Sequence, residues 1–247
     1  MAKVKERLDK LLVRRGLAES REKAQALILA GEVYVDGKRV DKAGTRVPLE
    51  AQIEIRAKVL PYVSRGGIKL EHALKEFGLE VRELVCADLG ASTGGFTDCL
   101  LQHGARKVYA IDVGRGQLHF RLRQDPRVVV MEGVNARYLR PQDLPEPVDL
   151  VTIDVSFISL TKILPAAQGL LKPGGFILAL IKPQFEVGRG RVGRGGVVRD
   201  PALHQEVIEK IKTFAEERGL EVLGVTESPI LGPAGNREFF VLMRPRR

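Results

Sequence analysis

Eleven residues, Cys86-Ala87-Asp88-Leu89-Gly90-Ala91-Ser92-Thr93-Gly94-Gly95-Phe96, constrain this chain more than any other stretch. The apolar run that leads in, Leu84 to Ala87, reads as a buried parallel strand. Phe96, Cys99, Leu100 and His103 lead out at helical spacing. Between them lies a turn of small residues with three glycines. A turn that bare lets backbone amides approach a ligand beside the positive end of a helix. A tight turn with no ligand is the plainer alternative, because glycine marks both kinds. The spacing is not G-x-G-x-x-G, so a dinucleotide fingerprint fits poorly.

Beyond the turn, further strands also end in polar residues. Lys107 to Asp112 is a second strand ending in an acid, about twenty residues past the first glycine. A Rossmann-type fold puts a carboxylate there on ribose hydroxyls. Capping of the next segment is the other reading of Asp112. Arg127 to Met131 is a third strand, and Asn135 lies just beyond it. Val148 to Ile153 is a fourth and delivers Asp154-Val155-Ser156-Phe157 at its carboxyl end. Ligands bind at that edge of open α/β sheets. Phe157 packs either on a ligand or on the core. A helix over 160–171 stops at Lys172-Pro173-Gly174-Gly175. Phe176 to Ile181 is apolar throughout, hence buried on both faces, and closes on Lys182. A lysine there is a candidate base, or one that snorkels to solvent. The last strands, 220–226 and 238–243, flank a turn holding Asn236 and Glu238. Strands alternating with helices over roughly 180 residues argue for one doubly wound sheet.

Charge separates the chain into two parts. The net charge is +9, and residues 1–60 alone carry 14 Lys+Arg against 9 Asp+Glu. Such density points to a polyanionic partner, most often nucleic acid. The pattern is compact: a helix through Leu8, Leu11 and Leu12, a second N-capped by Ser20, and strands around an Asp36-Gly37 hairpin turn. Lys58 to Val63 joins this piece to the next, with Pro61 preventing a continuous helix. We therefore expect a small basic domain at 1–60, a linker at 61–64 and an α/β domain at 65–247. Residues 187–200 hold five glycines among Arg189, Arg191, Arg194 and Arg199, a basic loop expected to be poorly ordered without RNA. The two cysteines, Cys86 and Cys99, and four scattered histidines lack metal-ligand spacing, so no metal is expected. No apolar run reaches membrane-spanning length and no signal peptide is evident, so a cytoplasmic protein is expected.

Several stretches carry family resemblances. Arg7-Leu8-Asp9-Lys10-Leu11-Leu12, Ser20-Arg21-Glu22-Lys23-Ala24 and Gly31-Glu32-Val33-Tyr34-Val35-Asp36-Gly37 together resemble the S4 RNA-binding domain. That resemblance makes 1–60 an S4-like RNA-binding domain. It implies RNA contact through Arg7, Lys10, Arg21, Lys23, Lys38 and Arg39, although each charge taken alone reads first as a solvated helix face. Asp-x-Gly-x-x-x-Gly-Gly after a strand resembles the first motif of Rossmann-like methyltransferases. With Ser64-Arg65-Gly66-Gly67-x-Lys69-Leu70, Asp154 to Ser159, Lys182-Pro183-Gln184-Phe185-Glu186 and Gly235-Asn236-x-Glu238-Phe239, nearly the whole chain resembles the TlyA family. Its catalytic half is similar to FtsJ/RrmJ enzymes.

The resemblance implies a Rossmann-like α/β domain with a seven-stranded, mostly parallel sheet behind a small α+β S4 domain. It implies ribosomal RNA 2′-O-methylation with S-adenosyl-L-methionine, and ribosomal RNA or ribosomal subunits as partner, with a monomer favoured. A Lys-Asp-Lys-Glu tetrad falls on Lys69, Asp154, Lys182 and Glu238. Cofactor contacts would fall on Asp88, Gly90, Ala91, Ser92, Thr93, Gly94, Gly95, Phe96, Asp112, Asn135, Asp154, Phe157 and Asn236. Arg65, Arg189, Arg191 and Arg194 would add RNA contacts. The alternative is an RNA-binding or ribosome-assembly factor on an inactive methyltransferase fold. The hemolysin label that the family carries has no amphipathic or apolar membrane segment behind it.

Overall fold

A computed structural model describes residues 4–29, 31–56, 60–188 and 190–246. Its contacts divide the chain into two compact units, Met1–Leu60 and Pro61–Arg247.

In the first unit, strand β1 (Lys5–Arg7) precedes helices α1 (Leu8–Arg14) and α2 (Arg21–Leu29). Strands β2 (Val33–Val35), β3 (Lys38–Arg39), β4 (Arg46–Pro48) and β5 (Ile53–Ile55) complete it. Ser20 Oγ accepts the Lys23 N–H at 3.2 Å, satisfying an orphan donor at the start of α2. Asp36 and Gly37 both take positive φ, 48° and 77°, the backbone a two-residue hairpin turn requires. Leu8, Leu11, Leu12, Ala24, Ile28 and Val33 close a small apolar core. The short β1–β4 pair was not legible in the sequence. Three residues are too few to show alternation.

The second unit opens with helix α3 (Arg65–Glu76). Strand β6 (Val85–Leu89), helix α4 (Gly95–Gln102), strand β7 (Lys107–Asp112), helix α5 (Phe120–Arg123) and strand β8 (Val128–Glu132) come next. Then come β9 (Val148–Ile153), α6 (Leu164–Leu170), β10 (Leu171–Ile181), α7 (Pro201–Glu217), β11 (Leu220–Glu227) and β12 (Phe239–Pro245). The seven strands are ordered β11-β12-β10-β9-β6-β7-β8, and only β12 runs against the rest. Side chains alternate between two cores. Ala87 and Leu89 pack with α6 and α7, whereas Cys86 packs with α3 and α4. Residues 61–64, expected as a linker, belong to this unit. Tyr62 is 5% exposed, and the Val63 N–H donates to the buried Asp98 carboxylate at 2.8 Å.

Strand order reverses between β6 and β9, which creates a crevice at their carboxyl ends. Gly90 sits just past β6 there with φ +87°. A Cβ on it would sit 2.4 Å from the Asp154 carbonyl oxygen. The two strand ends therefore meet backbone to backbone, which only glycine permits. Gly90→Ala is expected to cost roughly 2–4 kcal/mol and lower the thermal midpoint by about 5–10 °C. Thermal unfolding followed by circular dichroism checks this; an unchanged midpoint would contradict the close approach.

Candidate active site

A cleft of about 470 Å³ opens over the β6/β9 switch point. Of the residues expected to hold a cofactor, it brings together Gly90, Ser92, Asp112, Asn135, Asp154 and Phe157. Asp112 ends β7, and its carboxylate shapes the turn as well as the cleft. One oxygen accepts the Ser92 N–H at 2.7 Å and the other accepts the Gly114 N–H at 2.7 Å. Each oxygen keeps a second lone pair for a ligand donor. Asn135 Oδ1 accepts the Arg137 N–H at 3.0 Å, which caps the next short helix. Phe157 is 90% exposed, holds φ +64° and tilts against Phe185 at 5.0 Å.

The other expected contacts do not line the cleft. Asp88 is fully buried and accepts hydroxyl hydrogen bonds from Thr97 (2.7 Å) and Thr152 (3.1 Å). Burial pushes its carboxyl up to about 7. It braces β6 against β9 and α4 instead of lining the cleft. The Ala91 N–H donates to the Ile111 carbonyl, and the Thr93 carbonyl accepts from the His119 N–H. Gly94, at φ +99°, has no room for a Cβ beside Leu118 and Leu122. A Cβ on Gly95 would meet Ser64 Oγ at 2.2 Å and the Gly67 nitrogen at 2.9 Å. These two glycines serve packing, and Gly95 lets α3 and α4 start side by side. Phe96 stacks on Phe240 at 6.0 Å in the core. Asn236 lies outside the cleft, with both ends of its amide engaged by the segment around Gly196 and Val198.

The four charged residues form two ion pairs. Lys182 Nζ lies 2.6 Å from Asp154 Oδ1 and donates to Ser156 Oγ at 3.0 Å. Lys69 Nζ donates to Glu238 Oε2 at 2.5 Å, with Lys69 7% and Glu238 1% exposed. Three of the four come to the same sheet edge for a topological reason. Asp154 and Lys182 leave the carboxyl ends of β9 and β10, whereas β12 runs backwards and starts there. Ile181 pairs with Phe239, so one further step along that register sets Lys182 beside Glu238. Lys69 arrives from α3. Glu238 Oε1 is buried with no hydrogen-bond partner among the described residues. A Cβ at Gly232 would lie 2.3 Å from it. A bare buried acceptor is costly and marks a place for a donor. Ser156 was not singled out in the sequence, although it stands two residues past Asp154. Gln117, which also lines the cleft, carried no sequence signal.

The expected RNA contacts divide into free and engaged groups. Arg7 and Arg21 both bond the buried Asp9, at 3.0 and 2.9 Å, and Gln25 joins them at 2.9 Å. The Arg7 guanidinium holds the Asp9 carboxyl well below the usual range. Lys23 is paired with Glu19. Lys10, Lys38 and Arg39 are exposed. In the second unit Arg65 donates to the Leu231 carbonyl at 2.9 Å, and Arg191 is paired with Glu206. Arg194 is exposed, and Arg189 lies outside the described residues. Carboxylates thus neutralise part of the basic face that the sequence suggested.

Among the described residues no cluster of three or more His, Cys, Asp or Glu is placed to hold a metal, and no helix is long and apolar enough to cross a membrane.

Residues 62–245 match the FtsJ-like methyltransferase family, and residues 6–53 match the S4 domain. The chain is 48% identical to the 16S/23S rRNA (cytidine-2′-O)-methyltransferase TlyA of Mycobacterium tuberculosis, over 96% of this chain and 89% of that one. It is 45% identical to Hemolysin A of Brachyspira hyodysenteriae, over 94% and 97%. A solved structure of a hemolysin candidate from Streptococcus thermophilus superposes with a TM-score of 0.78 at 46% identity, covering 99% of this chain and 90% of that one.

Proposed function

This chain belongs to the FtsJ-like methyltransferase family, in the TlyA group that carries an S4 domain, and from that premise we propose that it methylates a ribose 2′-hydroxyl of ribosomal RNA. The observation that carries the reading is the double ion pair, Lys182–Asp154 and Lys69–Glu238, at the sheet edge where the cleft opens.

S-adenosyl-L-methionine fits that cleft by the chemistry of its lining. The spare lone pairs of Asp112 suit two ribose hydroxyls. Asn135 and the turn Gly90–Ser92 offer polar and backbone surface, and Phe157 an aromatic wall. When bound, the cofactor supplies a methyl group already activated as a sulfonium.

What remains for the protein is the acceptor oxygen. A ribose hydroxyl is a poor nucleophile near neutral pH, and its proton must leave as the new bond forms. Lys182 Nζ is the group against which that proton departs and charge develops. Asp154 and Ser156 fix the lysine by two contacts, which leaves its end in one place. Glu238, held by Lys69 and set beside Lys182 by the strand register, completes the alternating-charge network that fixes the hydroxyl. Holding acceptor and donor in line supplies much of the rate gain.

The first unit would deliver the substrate by phosphate contact. Among its described residues, Lys10, Lys38 and Arg39 are the expected contacts left without a carboxylate partner, so the log–log salt slope of binding by the full chain should be steeper than about −2. Salt-insensitive binding would contradict this role. The activity itself is tested on purified ribosomal subunits with labelled cofactor, by mapping the sugar that resists alkaline cleavage. A cytidine is the first nucleotide to examine, given the activity named for the mycobacterial relative. Cofactor binding without transfer to any subunit would sink the enzyme reading and leave an assembly factor.

A further inference from the structure

Val198 is gripped at both backbone polar groups by side chains from other elements. Its N–H donates to Asn236 Oδ1 at 2.9 Å, and its carbonyl lies 2.8 Å from His204 Nε2. A carbonyl only accepts, so Nε2 carries the proton. Asn236 Nδ2 in turn donates to the Gly196 carbonyl at 2.9 Å. Asn236 is 1% exposed and His204 4% exposed. Gly195 and Gly196 both take positive φ, 76° and 77°, and have no side chains of their own to anchor the turn. The turn is therefore held from outside.

The gripping amide is fixed to the segment that carries Glu238. The Asn236 carbonyl accepts the Gly232 N–H at 2.9 Å, and the Glu238 carbonyl accepts the Ser228 N–H at 2.8 Å. Gly232 lies directly against the Glu238 carboxylate. The His204 ring tilts on Phe239 at 5.6 Å, one residue further on. On the other side of the grip, Arg194 and Arg199 flank the glycine turn and are exposed. The Arg199 guanidinium also donates to the Arg194 carbonyl at 3.4 Å.

We propose that Asn236 is a positioning residue for methyl transfer. It locks the arginine-bearing turn Gly193–Gly196 to the loop that carries Glu238, so that an RNA backbone seated on Arg194 and Arg199 fixes where the Glu238 carboxylate stands. This role rests on the methyltransferase reading above. A buried amide bonded at both ends suits it, because losing either bond leaves a buried backbone group unsatisfied. Exposed arginines hold phosphate without reading sequence, and their value lies in where they place the strand. The grip converts that placement into alignment of the acceptor hydroxyl.

The test uses the full-length protein with Asn236→Ala and Asn236→Asp. Three quantities are read: amide exchange of Val198, steady-state kcat and KM for the RNA substrate, and calorimetric affinity for S-adenosyl-L-methionine. In the alanine variant Val198 exchange should rise about tenfold or more, and kcat/KM for RNA should fall about tenfold, with both kcat and KM moving. Cofactor affinity should stay within about twofold. The aspartate variant keeps the acceptor for Val198 and should restore its protection and part of kcat. Faster exchange with unchanged kinetics would reduce Asn236 to a structural residue and overturn the proposal. A parallel loss of cofactor affinity would overturn it too, by making Asn236 a cofactor contact. A wild-type protein that transfers no methyl group would instead sink the reading beneath it, and this role with it.

Discussion

Lys182→Ala is expected to slow methyl transfer by on the order of 10³-fold while cofactor and RNA affinities stay within about twofold. The size comes from what the residue alone does. Lys182 Nζ is shared between a carboxylate and a hydroxyl, Asp154 and Ser156, that both line the cleft. Lys69 is buried against Glu238 and acts through it. On the proposed mechanism, removing Lys182 takes away the group that meets the departing proton, and it leaves Asp154 without its cation. Single-turnover transfer to ribosomal RNA, with calorimetry for the cofactor, separates rate from binding. Near-normal turnover would sink the assignment. Lys69→Ala is a different experiment, because it strips a partner from a carboxylate that is 1% exposed and threatens the fold.

Asp88→Asn is expected to remove a pH dependence from stability rather than a catalytic step. The Asp88 carboxyl moves from 3.8 to about 7, because burial outweighs its two hydroxyl donors. A carboxyl raised by folding binds its proton more tightly in the folded state. Its contribution is therefore full below about pH 4 and is lost as pH rises to about 7, after which it is flat. The whole span is on the order of 4 kcal/mol, of which roughly 2–3 kcal/mol falls between pH 5 and 8. Asparagine at 88 keeps two hydrogen-bonding ends for Thr97 and Thr152 and carries no proton to lose. Urea unfolding at pH 5 and pH 8 should show the wild type losing that much more than the variant. Parallel profiles for the two proteins would mean that Asp88 does not titrate as its burial requires. Comparing variants also cancels Asp9, whose contribution runs the other way and is lost as pH falls.

The parts of the site that were legible before any coordinates are those whose position is set by strand ends. Asp112, Asp154 and Lys182 close apolar runs, and a parallel sheet delivers such residues to one edge. Gly90 was legible because a strand must turn there without a side chain. Phe96 and Asn236 stand away from the cleft lining for a shared reason. Which face of a helix or turn a residue takes depends on a partner far away in sequence: Phe240 for the first, Val198 for the second. Distant pairing also shapes the basic face. Asp9 reads as one more charge between Arg7 and Lys10, yet it is fully buried and absorbs two guanidiniums. The Leu171–Ile181 strand begins five residues earlier than its apolar run, since the Lys172–Gly175 bend interrupts its pairing with β9.

The reversed strand β12 has a consequence in time. Lys69 and its carboxylate partner stand 169 residues apart, and Glu238 lies at the head of the one strand that runs against the sheet. Until that strand slots between β10 and β11, the sheet has a gap and the Lys69 ammonium has no counter-ion. Closing so distant a pair is entropically slow. Folding can thus form the cleft before the Lys69–Glu238 pair closes.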